Sequence, residues 1–501
     1  MNLKYINRAA WLFLAAPYLI FVVGWLRPLI TFPFVIIFTA LFLNVLRGQE
    51  DGKGIERRDG ILAFCVISLV LFFSGIGGYT FQNWDFHGRN AVFHDLVNYP
   101  WPVVYQKSTL TGGILIMSYY MAYWLPSAVI GKLFGWQAAN FTLFLWTAIG
   151  VFLIVALLSV RLQTTVLKTT LLFFVFSGMD ILGVGVNRIL NRSLYPALWP
   201  PLQHLEWWSL PVEISSMTTQ VYWVFNQSVP ALLAMSLWLI GLRKQYVIFL
   251  WALTFFFSPL PSIGLMIFLG MGLVLRESPQ TRGERCIGVL RQSLSLENVM
   301  GLIVFLIGYT YFSTNLAAQD RSLQYWDPVL HLIFFLLEGG ILWIALLKKR
   351  EGDPFWLIAG LMLFLVVFIR IGKYQDFVMR ATIPALLYLM IGVGEELFHS
   401  QGRLKKLILI CLAIGAVTPL YEINRSFART LNYYFDTNIP VASSLLLSNP
   451  GYIFPVPELD HPGSITADSY KTLNTDDESF SWRANFLGNY GDNFFTEWLM
   501  K

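Results

Sequence analysis

The sequence predicts an all-α polytopic membrane protein. Of its 501 residues, 56% are hydrophobic and only 13% are charged, and the mean hydropathy is +0.58. A soluble globular chain carries about 25% charged residues. A helix that crosses a bilayer needs about 20 mostly apolar residues, because its backbone must satisfy its own hydrogen bonds in hydrocarbon. Apolar stretches near this length recur from the N-terminus to residue 421.

By this criterion we predict about 13 transmembrane helices. They are placed at residues 9–26, 28–46, 60–79, 137–160, 167–187, 218–241, 245–258, 262–275, 298–313, 329–347, 354–371, 381–397 and 404–421. The first of these has no small-residue cleavage site, so we expect a retained helix and not a signal peptide. Residues 1–421 therefore form the predicted transmembrane domain, with an outer loop at 79–136. The polar residues 422–501 form a predicted extracytoplasmic tail or cap.

The orientation depends on the apolar segment 113–134, which is long enough to cross the membrane. If it lies at the interface, seven loops that hold 20 of the 35 Lys and Arg residues fall on one side. The positive-inside rule makes that side the cytoplasm. Pro126 interrupts the segment, and Tyr119, Tyr123 and Ser127 follow one stripe, as in an amphipathic interfacial helix. We therefore expect extracytoplasmic interfacial helices here, with the spanning helix as the alternative.

Charge and cysteine content exclude other classes of protein. The formal net charge is only +5, and Lys and Arg lie mainly in short interhelical loops, so nothing indicates nucleic-acid binding. The three cysteines have no C-x-x-C spacing, which leaves no readable disulfide framework or thiolate metal site.

The outer stretch at residues 79–105 is rich in polar side chains, although the residues before it are mostly apolar. Asp85, directly after the third predicted helix, can accept a proton from a hydroxyl bound beside it, and His87 and Asp95 are the other candidate bases. Arg89 can bind a phosphate or pair with Asp85, and Asn90 lies next to it. The alternatives are a solvated loop end or, from the D-x-H spacing, a divalent metal site.

Two other outer segments carry candidate binding residues. The sequence HLEWW combines His204, Glu206 and Trp207, which suits either a sugar-binding surface or an aromatic belt at the membrane surface. Arg370, Lys373 and Arg380 lie on the outer side against the positive-inside rule, which indicates either a phosphate site or contact with lipid headgroups.

Two carboxylic residues fall at membrane depth. Asp180 in FSGMDILG and Glu338 in LLEGGIL are costly there unless they are paired or hydrated. They can serve proton coupling in a transporter or act as a polar brace between helices. The neighbouring glycines permit close helix packing and favour the brace.

The stretch NWDFHGRNAVFHD, followed by YYMAYWLPSAVIGKLFG, resembles the GT-C superfamily of membrane glycosyltransferases. The similarity also covers the helix number, the Asp-bearing first large outer loop and the outer C-terminal part. DFVMRATIP and SGMDILG are similar to segments of uncharacterised bacterial members. Three helices precede the loop here instead of one. The paired Asp-Glu of protein O-mannosyltransferases and the WWD-type motif of oligosaccharyltransferases are absent, so the sugar, the acceptor and the need for a metal stay open.

The resemblance implies transfer of a sugar from a polyprenyl-phosphate-linked donor to an extracytoplasmic glycan, lipid or protein, with inversion at the anomeric carbon. Asp85 would be the base, and Arg89, Arg370, Lys373 and Arg380 would bind the donor phosphate. No cofactor is implied beyond a divalent metal. The enzyme would lie in the plasma membrane with its N-terminus in the cytoplasm. The alternatives are a lipid-linked polysaccharide polymerase or ligase, or a flippase or transporter that uses Asp180 and Glu338.

Overall fold

The structure is a computed structural model of the chain. It describes residues 1–83, 85–105, 114–191, 204–209, 212–275, 293–317, 321–323, 327–371, 376–435 and 484–501. Lys373 and the side chain of His87, both predicted to belong to the site, lie outside the described residues.

The described part of the chain is almost entirely helical, which confirms the predicted all-α membrane class. In the N-terminal half the helices are α1 (Leu3–Trp25), α2 (Pro28–Arg47), α3 (Arg57–Phe72), α4 (Phe86–Asn98), α5 (Leu125–Phe134), α6 (Trp136–Arg161), α7 (Val166–Val175), α8 (Asp180–Asn191) and α9 (Met217–Leu239). After them come α10 (Val247–Phe257), α11 (Pro259–Leu275), α12 (Leu296–Phe312), α13 (Pro328–Phe335), α14 (Ile341–Leu346), α15 (Pro354–Leu365), α16 (Asp376–Ala381), α17 (Ile383–His399), α18 (Arg403–Gly415) and α19 (Val417–Phe435).

Six helical stretches among the described residues are long and apolar enough to cross a membrane. They are Leu3–Trp25, Pro28–Arg47, Trp136–Arg161, Val166–Leu190, Pro328–Arg350 and Arg403–Leu431. The predicted count of about 13 is therefore not confirmed. Four further apolar helices have only 10–17 residues. The third predicted span also ends early, at Phe72, because three glycines with positive φ at 75, 77 and 78 follow it.

The core of the bundle is built around α9. Every residue of this helix except Trp223 is buried, and its neighbours include α6, α10, α11 and α17. Ser216 caps its N-terminus by accepting a hydrogen bond from the Thr219 N–H. The backbone of Val224 leaves helical geometry (φ −134°, ψ 35°) and kinks the helix. The kink directs the next residue, Phe225, toward α4, where its ring stacks on Phe86 with centroids 5.8 Å apart.

Residues 114–134 do not form one continuous helix. They contain a short strand, Leu115–Met117, a 3-10 turn, Met121–Trp124, and the ten-residue helix α5. The polar stripe predicted to lie at the interface is buried instead. Tyr123 is 0% exposed and donates a hydrogen bond to Thr147 of α6 over 3.1 Å. The stripe therefore faces the bundle, where the Tyr123 hydroxyl has a partner.

The segments predicted to face outward contact one another. Three short strands, β1 (Val104–Tyr105), β2 (Leu115–Met117) and β5 (Leu487–Asn489), form an antiparallel sheet in the order β1-β2-β5. A second pair joins β3 (Arg321–Leu323) to β4 (Ile369–Ile371). The C-terminus is attached to the end of α1, where Lys501 N–H donates to the Trp25 carbonyl over 2.9 Å.

The basic loops at the other ends of the helices form a second set of contacts. Glu50 pairs with Arg243 at 2.6 Å, and Lys4 pairs with Asp51 at 3.0 Å. Arg161 pairs with Glu395 at 2.6 Å. These ion pairs join segments that charge parity places on the same side, while the topology itself remains a prediction. Which side faces the cytoplasm is part of that prediction.

Cysteine labelling tests this orientation. In a chain with all three native cysteines replaced by serine, we expect Lys168→Cys to react with a membrane-impermeant maleimide only after permeabilisation. We expect Glu497→Cys to react on intact cells. Both positions are exposed, and a permeant maleimide should label both. Reaction of Lys168→Cys on intact cells would reverse the predicted orientation.

Candidate functional site

Two short helices begin in the same way, with an aspartate followed four residues later by an arginine. Arg89 Nη2 lies 2.7 Å from Asp85 Oδ2 at the start of α4. Arg380 Nη1 lies 2.6 Å from Asp376 Oδ1 at the start of α16. An i,i+4 spacing brings two side chains onto one helical face, so each aspartate lies next to its arginine because of the sequence spacing alone.

In each pair the arginine is buried and the aspartate is open. The exposed side-chain fractions are 4% for Arg89 and 8% for Arg380, against 31% for Asp85 and 51% for Asp376. A guanidinium inside an apolar bundle needs acceptors for all its N–H groups. Among the described residues, however, Arg89 Nη1 and Arg380 Nε have no hydrogen-bond partner.

Packing with little free space holds both arginines in place. The Arg89 guanidinium lies over the ring of Phe225, 5.7 Å from its centroid, just after the kink in α9. The helix α16 packs on α11 at Gly264, where an added Cβ would lie only 2.0 Å from the Ala381 carbonyl oxygen. Glycine at 264 thus permits the close approach that brings Arg380 inward.

The two pairs act on each other electrostatically. Burial alone would lower the pKa of Arg380, but Asp376, Tyr120 and Asp85 raise it above its usual value. Burial raises the pKa of Tyr119, which the charges of Arg89 and Asp85 also influence. The start of α4, the start of α16 and the Tyr119–Tyr120 turn therefore line one site.

Glu213 is a third carboxyl at this site. It is half-buried in the segment between the 3-10 turn Leu205–Ser209 and α9. Burial, Asp376 and Asp85 together raise its pKa to about 7, against the lowering effect of Arg380. Sequence reasoning did not assign Glu213 to the site, because only the tertiary structure brings it near residues 85 and 380.

The remaining predicted residues of the outer loop have structural partners. Asn90 donates to Gln82 Oε1 over 2.8 Å. Asp95 accepts a 2.8 Å hydrogen bond from Tyr105 of β1 and lies 3.3 Å from His94. Burial raises the pKa of Asp95, while those two hydrogen bonds lower it. One of its oxygens thus has a partner in β1 and the other has a partner in α4, which favours Asp85 over Asp95 as a base.

Arg370 lies in β4, opposite Ser322 of β3. It belongs to the same outer face as Arg380, on the strand that precedes α16. None of the described interactions between Arg370 and another side chain connects it to Asp85 or Glu213.

The sequence HLEWW divides between two clusters. His204 Nδ1 lies 3.0 Å from Glu422 Oε2 of α19, and Trp207 lies beside that imidazole with ring centroids 5.1 Å apart. Glu206 instead accepts the Ser216 N–H over 2.9 Å and faces Asp180 and Glu213. Glu206 is therefore part of the support beneath the site.

The partners of His204 were missed by sequence reasoning. Glu422 also binds Arg425 at 2.7 Å, and both residues are buried in α19. The predicted boundary between a transmembrane domain ending at 421 and a tail beginning at 422 falls inside this helix. The polar composition after 421 suggested a separate tail, but spacings of three and four residues among Glu422, Arg425 and Arg429 were a helical signal.

Asp180 and Glu338 form a pair at a break in two helices. Asp180 starts α8 after a non-helical gap from α7, and Glu338 lies in the π-helical turn Leu336–Gly340. Trp208 Nε1 donates to both, at 3.3 and 3.1 Å. Thr418 donates to Asp180 over 2.8 Å. The Trp208 N–H therefore bridges the two carboxyls.

Within the described ranges, no three His, Cys, Asp or Glu side chains come together in a way that could hold a metal ion. No family model, no curated protein and no solved structure matches the chain.

If Asp180 and Glu338 act as a polar brace between helices, two substitutions of Glu338 should differ in their effect on stability. Glu338→Gln should keep membrane abundance and thermal midpoint near normal, because an amide can donate to Asp180 and accept from Trp208. Glu338→Leu should destabilise the protein by about 1–3 kcal/mol, because it leaves buried polar groups without partners. Thermal unfolding in detergent measures both, with the exposed Glu351→Gln as the control. Equal stability of Glu338→Gln and Glu338→Leu would contradict the brace.

Proposed function

We propose that the protein is a membrane glycosyltransferase of the GT-C type, which transfers a sugar from a polyprenyl-phosphate-linked donor to an extracytoplasmic acceptor. The observation that carries this proposal is the pairing of buried arginines with open aspartates at the starts of α4 and α16. Such a site offers fixed N–H donors for an anion and an accessible carboxylate beside them.

The donor phosphate would occupy the space between Arg89 and Arg380. Guanidinium groups bind phosphate oxygens through fixed planar N–H groups, and the unpartnered Arg89 Nη1 and Arg380 Nε supply such groups. Arg370, on the preceding strand β4, would contribute charge at the rim. The polyprenyl chain would lie between the helices, because hydrocarbon is already the solvent there.

Asp85 would act as the general base. Its carboxylate takes the proton of the acceptor hydroxyl while the acceptor oxygen bonds to the anomeric carbon and the bond from that carbon to the phosphate oxygen breaks. The phosphate leaves with the electron pair of the broken bond and is stabilised by the arginines. A single displacement of this kind inverts the configuration of the sugar.

Two alternative functions are compatible with the same arrangement of residues. A lipid-linked polysaccharide polymerase or ligase would have the same donor site with a longer acceptor. A flippase or proton-coupled transporter is favoured by the helix breaks at Asp180 and Glu338, since discontinuous helices with buried carboxyls are typical of transport sites. Loss of function in Glu338→Gln at normal abundance and stability would favour the transporter.

The proposed base predicts the effect of Asp85→Asn. We expect membrane abundance to be normal and glycan transfer to fall by roughly 10²–10⁴-fold, the usual contribution of a positioned base. Transfer can be followed as envelope glycan restored to a deletion strain. Asp327→Asn is the matched control, because Asp327 also begins a helix and lies in a segment predicted to face outward. Full transfer by Asp85→Asn would remove Asp85 from the mechanism.

The pKa of Glu213 predicts how donor binding depends on pH. Its pKa of about 7 means that it is neutral in mildly acid solution and charged in alkaline solution. Ionisation adds a third negative charge beside Asp85 and Asp376, so binding of a polyprenyl phosphodiester should weaken roughly tenfold as the pH rises through 7. The phosphodiester keeps one charge over this range. Glu213→Gln should remove the pH step, and an unchanged step in that variant would exclude Glu213 as its cause.

A further inference from the structure

A second polar cluster lies between α9, α19 and the turn Leu205–Ser209. At its centre the Glu422 carboxylate receives four donors. One oxygen accepts from Trp223 Nε1 at 2.9 Å and Arg425 Nη2 at 2.7 Å. The other accepts from Arg425 Nε at 3.0 Å and lies 3.0 Å from His204 Nδ1. Two donors on each oxygen saturate a carboxylate.

This arrangement determines the tautomer of His204. A carboxylate that pairs with Arg425 only accepts, so the imidazole proton lies on Nδ1 and Nε2 keeps its lone pair. Burial and the charges of Arg425 and Arg429 together lower the pKa of His204 to about 3, against the raising effect of Glu422. The ring therefore stays neutral.

The acceptor Nε2 of His204 is left without a hydrogen bond. The residue is 4% exposed, and no described group lies within hydrogen-bond distance of Nε2. A buried polar atom in this state destabilises the folded protein. Its obvious complement is a ligand that brings a hydroxyl or another donor.

Indole rings flank this acceptor. Trp223 lies 4.3 Å from the imidazole, between centroids, and the Arg425 guanidinium lies over the Trp223 ring at 5.3 Å. Trp207, at 5.1 Å from the imidazole, is only half-buried and keeps part of its ring open. A hydroxyl donor with a flat C–H face fits an open indole beside an acceptor, and a pyranose ring has both features.

The cluster borders the candidate site. Arg425 and Arg429 lie over the ring of Phe81, 5.7 and 5.0 Å from its centroid, four residues before Asp85. Asn83 donates to the carbonyl of Tyr222, next to Trp223, over 3.3 Å. The segment that leads into Asp85 thus packs against this cluster.

We propose that His204 Nε2 and the open face of Trp207 bind a pyranose unit of the acceptor, with Glu422 and Arg425 as positioning residues that hold the imidazole. This assignment rests on the proposed function, because it identifies the acceptor as a saccharide. In the proposed function the donor sugar is attached to the phosphate between Arg89 and Arg380, so a second ring, at His204, belongs to the acceptor.

Saturation-transfer NMR tests this subsite without a transfer assay. The purified full chain in lipid nanodiscs is mixed with methyl glucopyranoside, methyl galactopyranoside or methyl mannopyranoside. We expect transfer to the ring protons of at least one of them. His204→Phe should weaken that binding about tenfold, the effect of one lost hydrogen bond. His204→Gln, which keeps an acceptor at the same reach, should retain most of it.

Trp207→Ala should abolish the signal. Trp498→Ala, at an indole that is 62% exposed at the C-terminus, is the matched control and should not change it. Absence of transfer to all three glycosides, or equal signals in wild type, His204→Phe and Trp207→Ala with normal thermal midpoints, would overturn the proposal.

The two proposals can fail separately. Asp85→Asn should leave glycoside binding intact, since Asp85 does not form this subsite. Glycoside binding that depends on His204, in a protein that transfers no sugar, would refute the transferase and leave a saccharide-binding membrane protein.

Discussion

Charge inside an apolar bundle must be neutralised locally, and this constraint shapes every polar feature of the protein. An unpaired charge at membrane depth is costly, and Arg89, Arg380 and Arg425 each have a carboxylate partner. Arg89 and Arg380 meet the requirement through aspartates one helical turn away. Their partners stand at the rim and leave some guanidinium N–H groups without acceptors, which makes the pairs suitable for binding an anion.

The same constraint distinguishes residues that can bind a ligand from residues that support the fold. Asp180 and Glu338 are buried, and the Trp208 N–H donates to both of them. They join a broken helix to a π-helical turn below the outer loops. Glu213 differs because it stays partly open and lies in the fields of Asp85 and Asp376. It is therefore the carboxyl of this group whose charge changes near neutral pH.

Local patterns in the sequence were sufficient for the membrane class and for the pairing of Asp85 with Arg89, since an i,i+4 spacing determines which side chains meet on a helix. They also named Arg380 as a candidate phosphate-binding residue. They were insufficient where distant segments combine. His204 was predicted as a ligand contact, but its partner Glu422 lies 218 positions later in a helix whose composition suggested a tail. The count of about 13 spans stays unconfirmed for a related reason, because short helices buried by their neighbours resemble membrane spans in composition.

The central claim is that the helix starts at Asp85 and Asp376 form the two walls of one phosphate site. Electron cryomicroscopy of the full chain with a bound polyprenyl phosphodiester tests it most directly. The account predicts the phosphate between the two arginines, within hydrogen-bond distance of Arg89 Nη1 and Arg380 Nε. A phosphate bound elsewhere, with both arginines still paired only to their aspartates, would contradict it.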